Sequence, residues 1–289
     1  MRRWQVAVLA VLGVLAVACD GAGVAGEAAP TATKTTATSG NAAGYPAVMA
    51  ALGDSITAGV GSCLAYLNCD KNSWAAGGSN LVDSHYRRIL AKSSKIKGKV
   101  YNFSEPGAQA DALHTQALQA IDAKAQYVTI LIGANDACAR SVDAMTPVTA
   151  YREQIDRALD ELKDGLPEAR VLVVSIPDLY RLWQVGSRSN QAVKVWSRGG
   201  ICPSMLADPT STANADQERR EAVRDRIDAY DQQLRKACSA YGEKCRWDGG
   251  AVHDVRFTLD LVNTVDYFHP NAEGQNELAE VTWPGRFDW

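Results

Sequence analysis

The sequence predicts an α/β fold built on a mainly parallel five-stranded sheet with helices on both faces. Two observations lead to this prediction: short apolar runs of strand length recur along the chain, and amphipathic helical patterns separate them. Strands that alternate with helices are typical of parallel sheets, because the crossover helix returns the chain to the edge where the next strand begins. The 289 residues are enough for one large core.

Five runs are predicted as strands buried on both faces, because each is short and apolar. The first four are the more apolar, and the last is interrupted by charged residues. The five runs lie at 48–52, 100–103, 127–132, 171–175 and 244–247.

Helices are predicted where apolar residues recur every three or four positions. In the first such pattern, Leu81 and Ile89 share the side expected to be buried. The helical patterns lie at 80–93, 110–123, 149–164, 217–241 and 272–281.

The stretch 178–215 carries no such pattern and is expected to be a long irregular loop. A long loop inside a compact domain is usually functional or disordered. It contains Trp183 and Trp196, which we expect either to line a substrate pocket or to pack against the sheet.

The N-terminus has the pattern of an export signal. Arg2 and Arg3 precede an apolar stretch, 6–18, that is shorter than the ~20 residues needed to span a bilayer. Cys19 follows small residues, which resembles the bacterial lipoprotein signal. We therefore expect 1–18 to be a signal peptide and Cys19 to be lipid-modified, with plain secretion or an uncleaved membrane anchor as the alternatives.

Residues 19–44 are rich in Ala, Gly, Thr and Pro and are expected to form a flexible, lipid-anchored linker, because they have too little apolar surface to bury. The domain is then expected at 45–289. These predictions describe an exported protein, either a cell-envelope lipoprotein or a secreted one, that meets the membrane only through its lipid anchor.

Charge argues against a nucleic-acid partner. The formal net charge is −3, charged residues make up 22% of the chain, and no basic stripe is present. We expect a monomer.

The cysteine count predicts disulfides. Of seven cysteines, six remain once Cys19 is set aside, and six allow fifteen pairings. The pairs Cys63–Cys69 and Cys238–Cys245 would close short loops and leave Cys138–Cys202, as expected in an oxidising compartment. No C-x-x-C or Cys/His cluster supports a zinc site, so no metal is expected.

Polar residues follow the predicted strands where ligands bind in open α/β sheets. Ser55 comes after the first strand, Gly107 after the second and Asn135 after the third, while Asp266 and His269 precede the last helix. These residue types suit acyl transfer. His activates a serine hydroxyl, a carboxylate orients the His, and amides stabilise the oxyanion.

Four sequence blocks together resemble the SGNH-hydrolase superfamily, or GDSL esterase/lipase family. The blocks are GDSITAG with Ser55, SEPGA with Gly107, GAND with Asn135, and DYFHPN with Asp266 and His269. Ile56-Thr57 replaces the Leu-Ser of the family name.

The resemblance covers about 45–285 and implies a flavodoxin-like three-layer α/β/α sandwich. It also implies Ser55 as nucleophile, His269 as base and no cofactor. The oxyanion hole is expected from the Ser55 and Gly107 amides and the Asn135 side chain, and Asp266 or a backbone carbonyl is expected to orient His269. The cysteines and the N-terminus resemble the exported actinobacterial branch of the family.

The expected reaction is hydrolysis of a carboxylic ester through an acyl-enzyme. The family accepts small-molecule, lipid and acetylated-sugar esters, and the four blocks do not choose among them. The alternatives are a deacetylase or acyltransferase acting on cell-envelope glycans and a catalytically inactive surface binding protein. The elbow G-x-S-x-G is absent, which argues against the α/β-hydrolase fold.

Overall fold

A computed structural model of the chain describes residues 44–63, 67–198 and 200–289. The expected signal 1–18, Cys19 and the linker up to residue 43 lie outside the described residues and stay predictions. No helix within the described ranges is long and apolar enough to cross a membrane.

Five strands and nine α-helices form within the described residues. The strands are β1 Met49–Gly53, β2 Val100–Asn102, β3 Tyr127–Leu131, β4 Arg170–Val173 and β5 Cys245–Trp247. The helices are α1 His85–Lys92, α2 Leu113–Asp122, α3 Ala134–Ala137, α4 Val148–Gly165, α5 Leu179–Gly186, α6 Asn190–Trp196, α7 Pro203–Leu206, α8 Asn214–Tyr241 and α9 Ala272–Thr282.

The sheet is parallel throughout, in the order β2-β1-β3-β4-β5. From β1 to β2 the chain moves toward one edge of the sheet. The later steps, from β2 to β3, from β3 to β4 and from β4 to β5, all move toward the opposite edge. Right-handed crossovers in opposite directions place their helices on opposite faces, so α1 lies on one face and α2, α4 and α8 lie on the other. His85 of α1 contacts Thr282 of α9 at 3.0 Å, which puts α9 on the α1 face. The three-layer flavodoxin-like fold is confirmed.

The central strands β1 and β3 are buried along their whole length, as their apolar runs predict. The edge strands β2 and β5 are partly exposed. Each predicted strand ends within one or two residues of the observed one. The parallel register brings the carboxyl ends of the strands, with the polar residues that follow them, to one edge of the sheet.

The prediction for the first helix was wrong at its start. The helix begins at His85, because the Ser84 hydroxyl caps it by accepting the Arg87 N–H at 3.1 Å. Leu81 lies before this cap and is 63% exposed rather than buried.

The prediction that 178–215 is irregular was also wrong, because the short helices α5, α6 and α7 lie within it. Such short helices are marginal on their own, so packing decides whether they form. Gly186 of α5 lies against Trp196 of α6, and a Cβ at residue 186 would come within 2.0 Å of the indole ring.

Three disulfides join the cysteines in the pairing that the local interpretation expects. Cys63–Cys69 and Cys238–Cys245 close loops with separations of 6 and 7 residues. Cys138–Cys202 spans 64 residues and ties the end of α3 to the start of α7.

Candidate active site

Ser55 lies in the turn that follows β1. The last residue of the strand, Gly53, has a φ of +146°, and a Cβ there would lie 2.3 Å from the Leu131 carbonyl oxygen, so the turn requires glycine. The buried Gln116 side chain accepts the Gly53 N–H at 2.7 Å and donates to the Gly53 carbonyl at 2.9 Å. This clamp holds Ser55, which is 6% exposed, at the carboxyl edge of the sheet.

His269 meets Ser55 from the turn before α9, 214 residues along the chain. Ser55 Oγ lies 2.8 Å from His269 Nε2, and His269 Nδ1 lies 2.5 Å from Asp266 Oδ2. A carboxylate only accepts hydrogen bonds, so we assign the imidazole proton to Nδ1 and let Nε2 accept the Ser55 hydroxyl. This arrangement allows the histidine to take a proton from the serine.

The Asp266 carboxylate also holds the backbone of its own turn. Its Oδ1 accepts the N–H groups of Phe268 at 2.8 Å and His269 at 3.1 Å, while Oδ2 faces the imidazole. Tyr267, between Asp266 and Phe268, has a φ of +54°, in the left-handed region. One carboxylate therefore fixes both the backbone and the ring of His269.

Sequence reasoning missed two residues that hold this turn. Asn263 donates from Nδ2 to the His269 carbonyl at 3.0 Å, and its Oδ1 accepts the Asp266 N–H at 3.1 Å. The Trp196 indole donates to the Asp266 carbonyl at 3.0 Å. Neither residue belongs to a strand-end motif. The one available signal was the presence of Trp196 in the long stretch that breaks the strand–helix pattern.

Three amide groups available to an oxyanion border the same cavity as Ser55 and His269. Among the hydrogen bonds of the described residues, none uses the N–H of Ser55 or of Gly107. Asn135 donates one Nδ2 hydrogen to the Ala108 carbonyl at 2.9 Å, and its second hydrogen remains available. The Asn135 bond joins α3 to the Gly107 loop, so the two oxyanion candidates are held together.

Two carboxyl groups are buried beside these residues. Burial raises the pKa of Asp54 to about 7, although the Ile56 N–H and the charge of His269 lower it. Burial also raises the pKa of Asp136 to about 6, and its Oδ2 accepts the Ala110 N–H at 3.0 Å. Asp54 Oδ1 accepts the Ile56 N–H at 2.9 Å. Both acids thus brace the loops that carry the site.

The cavity over Ser55 has a volume of about 680 Å³. Besides the five candidate residues, its lining includes Ile201, Phe268 and the Cys138–Cys202 disulfide. Neither tryptophan of 178–215 is among the described residues that line it. Trp183 instead stacks with Arg220 at 4.3 Å.

A second histidine beside acids lies apart from this cavity. His253 Nδ1 lies 3.0 Å from the Ile176 carbonyl and 3.4 Å from Asp231 Oδ2. No serine hydroxyl contacts its ring among the described residues, so His253 lacks the nucleophile that His269 has. Across the same residues, no group of three or more His, Cys, Asp or Glu side chains is arranged to hold a metal ion.

The chain is similar to several known proteins. Membrane-associated phospholipase B1 of Homo sapiens is 28% identical over 197 residues, which are 57% of this chain but only 12% of that protein. An acetylxylan esterase from Geobacillus stearothermophilus superposes with a TM-score of 0.49 at 15% identity, covering 81% of this chain and 90% of the esterase. Phospholipase A1 from Streptomyces albidoflavus NA297 gives 0.47 at 18% identity, covering 81% and 96%.

The family comparison spans most of the domain. The model of the GDSL-like lipase/acylhydrolase family matches residues 51–276, a range that contains Ser55, Gly107, Asn135, Asp266 and His269. The chain belongs to the GDSL-like lipase/acylhydrolase family.

Proposed function

We propose that the protein hydrolyses carboxylic esters through an acyl-enzyme on Ser55. The observation that carries this proposal is the contact of Ser55 Oγ with His269 Nε2 at 2.8 Å, with Asp266 on the far side of the ring. Membership of an acylhydrolase family supports the same reaction class.

In the first half of the reaction, Ser55 Oγ attacks the ester carbonyl carbon and its proton passes to His269 Nε2. The C=O π electrons move onto oxygen, where the N–H groups of Ser55 and Gly107 and the Asn135 amide donate to the oxyanion. The C–O bond to the alcohol then breaks, and His269 returns the proton to the leaving alkoxide.

In the second half, water attacks the acyl-enzyme carbonyl and gives its proton to His269. The bond to Ser55 Oγ breaks, the proton returns to that oxygen, and the carboxylic acid leaves. Each proton taken by His269 is returned, so the cycle needs no cofactor.

The test compares wild type and Ser55→Ala on p-nitrophenyl acetate and on longer acyl esters. We expect turnover of the wild type and loss of at least about 10³-fold in the variant. The control is Ser175, whose hydroxyl accepts the backbone N–H of His253 at 3.0 Å, away from the catalytic cavity, and Ser175→Ala should keep the activity. Undiminished turnover by Ser55→Ala would exclude the proposal.

A fluorophosphonate probe separates the enzyme from an inactive binding protein. Covalent labelling at Ser55, abolished by His269→Ala, is the outcome expected of an activated nucleophile. Acetylated glycans offered beside the p-nitrophenyl esters would reveal the deacetylase alternative.

Export and lipidation of Cys19 remain our proposal from the sequence. Cys19→Ser should release the protein from the membrane fraction of the native host, if the lipid is the anchor. Unchanged fractionation of Cys19→Ser would contradict lipidation.

A further inference from the structure

A polar groove of about 380 Å³ lies between α5 and α8. One face of each helix lines it, because positions three and four apart are neighbours on a helix surface, and the loop 209–212 before α8 completes the lining. The lining residues of α5 with its C-cap, and then of α8, are Tyr180, Trp183, Ser187, Gln217, Arg220 and Glu221. The described lining shares no residue with the catalytic cavity, and the volume is in the usual range for small-molecule sites, about 300–1,000 Å³.

Arg220 holds the walls of this groove together. The residue is 1% exposed, and its guanidinium lies over the Trp183 ring, with Cζ 4.3 Å from the centroid. Its Nη2 donates to the Ser211 carbonyl at 2.6 Å, and the Trp183 indole donates to the Pro209 carbonyl at 2.9 Å. The groove is therefore formed before any ligand arrives, so little ordering free energy is lost on binding.

The Arg220 guanidinium also has hydrogen-bonding capacity that the protein does not use. Its helix neighbours Arg219 and Arg224 pair with Asp216 and Asp225, whereas Arg220 forms no ion pair within the part of the chain that the structure describes. A guanidinium has five N–H donors, and the buried Nε–H of Arg220 has no partner. A buried donor without a partner costs free energy, which a ligand oxygen that reaches this guanidinium would recover.

The remaining lining excludes two classes of ligand. Arg220 and Glu221 are the two ionised side chains among the described residues of the groove, so its charge is balanced and a strongly charged ligand is not favoured. The apolar part of the same lining consists of Tyr180, Trp183 and Pro209, with no aliphatic side chain to receive a hydrocarbon chain.

The polar groups of the groove both donate and accept. Thr210 and Thr212 contribute hydroxyl groups, and the Gln217 amide donates to the Thr212 carbonyl at 2.8 Å while its oxygen remains an acceptor. The rings of Tyr180 and Trp183 lie side by side, with centroids 5.1 Å apart. A sugar matches this combination, because each of its hydroxyls donates and accepts while the C–H groups of its ring pack against aromatic side chains.

We propose that the groove between α5 and α8 is a binding site for a neutral oligosaccharide. The site goes beyond the proposed ester hydrolysis and does not depend on it, because no residue of the groove belongs to the catalytic cavity. Its role is to hold the protein on a polysaccharide.

The test is calorimetric titration of the protein with cellohexaose, xylohexaose and chitohexaose, none of which carries an ester. We expect saturable binding of at least one of the three. Gln217→Ala and Glu221→Ala each remove hydrogen-bonding groups from the groove and should weaken that binding about fivefold. Glu218→Ala changes the charge equally at an exposed position of α8 outside the groove, and its affinity should stay within about twofold of wild type.

Two comparisons decide the chemistry and the location of the site. Hexagalacturonate, which is anionic, should bind more weakly than the neutral probe. The neutral probe should not inhibit turnover of p-nitrophenyl acetate, and both groove variants should keep that turnover. Gln217 and Glu221 are exposed, so both variants should fold, with thermal unfolding as the check.

The proposal is overturned if none of the three neutral probes binds, or if Gln217→Ala and Glu221→Ala leave the affinity unchanged. Tighter binding of hexagalacturonate, or competitive inhibition of turnover by the neutral probe, overturns it as well. If the wild type cleaves no ester, the proposed function fails, while the titrations still decide the groove. If esters are cleaved and no oligosaccharide binds, the groove alone is excluded.

Discussion

Asp266→Asn tests whether this carboxylate sets the tautomer of His269. The substitution keeps the size of the side chain and replaces one oxygen by an NH₂ group. The orientation of the new amide is decided by the structure. Two backbone N–H groups point at Oδ1, so the amide oxygen must occupy that position and the NH₂ group must face the imidazole.

The NH₂ group then donates to His269 Nδ1, which lies 2.5 Å from Oδ2 in the wild type. The ring has to carry its proton on Nε2, where it blocks acceptance of the Ser55 proton. In serine hydrolases with a Ser-His-Asp triad, the wrong histidine tautomer lowers kcat about 10⁴-fold, equivalent to about 5 kcal/mol of activation free energy. The expected loss here is of the same order.

The assay is kcat for p-nitrophenyl acetate at neutral pH, with thermal unfolding as the check on folding. Asp254→Asn, beside the second histidine, is the matched control and should stay near wild type. The opposite orientation of the Asp266→Asn amide would place its NH₂ group against two N–H donors, so rotation of the side chain does not restore the hydrogen bond that wild-type Asp266 accepts from His269. Retention of kcat within tenfold by a folded Asp266→Asn would refute the reasoning and favour a backbone carbonyl as the group that orients His269.

Three further predictions follow from the described contacts. Asn135→Ala should lower kcat by about 10²–10³-fold with little change in KM, because it removes an oxyanion donor. Steady-state kinetics that show an unchanged kcat would contradict that role. Burial, with Arg88 nearby, lowers the pKa of His85 to about 3. The unfolded chain therefore binds a proton below about pH 6.5 that the folded chain does not bind, and the free energy of unfolding falls between about pH 6.5 and pH 3. Urea unfolding of His85→Gln should show a smaller fall between about pH 7 and pH 5 than wild type, and equal falls would reject the assignment. Removing the Cys138–Cys202 disulfide, which spans 64 residues, should lower the free energy of unfolding by about 4 kcal/mol, against about 2–3 kcal/mol for Cys238–Cys245, which spans 7. Denaturant unfolding of the two double-alanine variants measures both losses. A larger loss for the Cys238–Cys245 variant would show that the entropy of the unfolded chain is not the main contribution of these disulfides to stability.

Much of the architecture was readable from local pattern. The runs that form β1 and β3 are almost wholly apolar because both faces of each strand are buried, and this pattern is visible in the sequence. The long amphipathic stretch of α8 was visible for the same reason, since the helical period repeats over many turns.

The short helices of 178–215 were not predicted from the sequence, because their stability depends on contacts with other parts of the chain. The helix α5 exists through its Asp178 cap and the close approach of Gly186 to Trp196, a partner ten residues away in the next helix. Periodicity predicts a buried side for Leu81, but it does not locate the Ser84 cap at which the helix begins.

The site divides in the same way. The residue types of Ser55 and Asn135 at strand ends, with His269 before the last helix, predicted acyl chemistry, since few side chains supply a nucleophile, a base and an oxyanion donor. The spacing of Asp266 and His269 also limited how far apart they lie, because three residues of chain cannot separate them widely.

Only the tertiary structure decided how these groups are held. The contact between Ser55 and His269 joins residues 214 positions apart. The supports of the turn come from Asn263 and from Trp196, which donates from 70 positions away. Such convergence depends on the path of the folded chain, which no local pattern records, whereas the chemistry of each side chain is already present in the sequence.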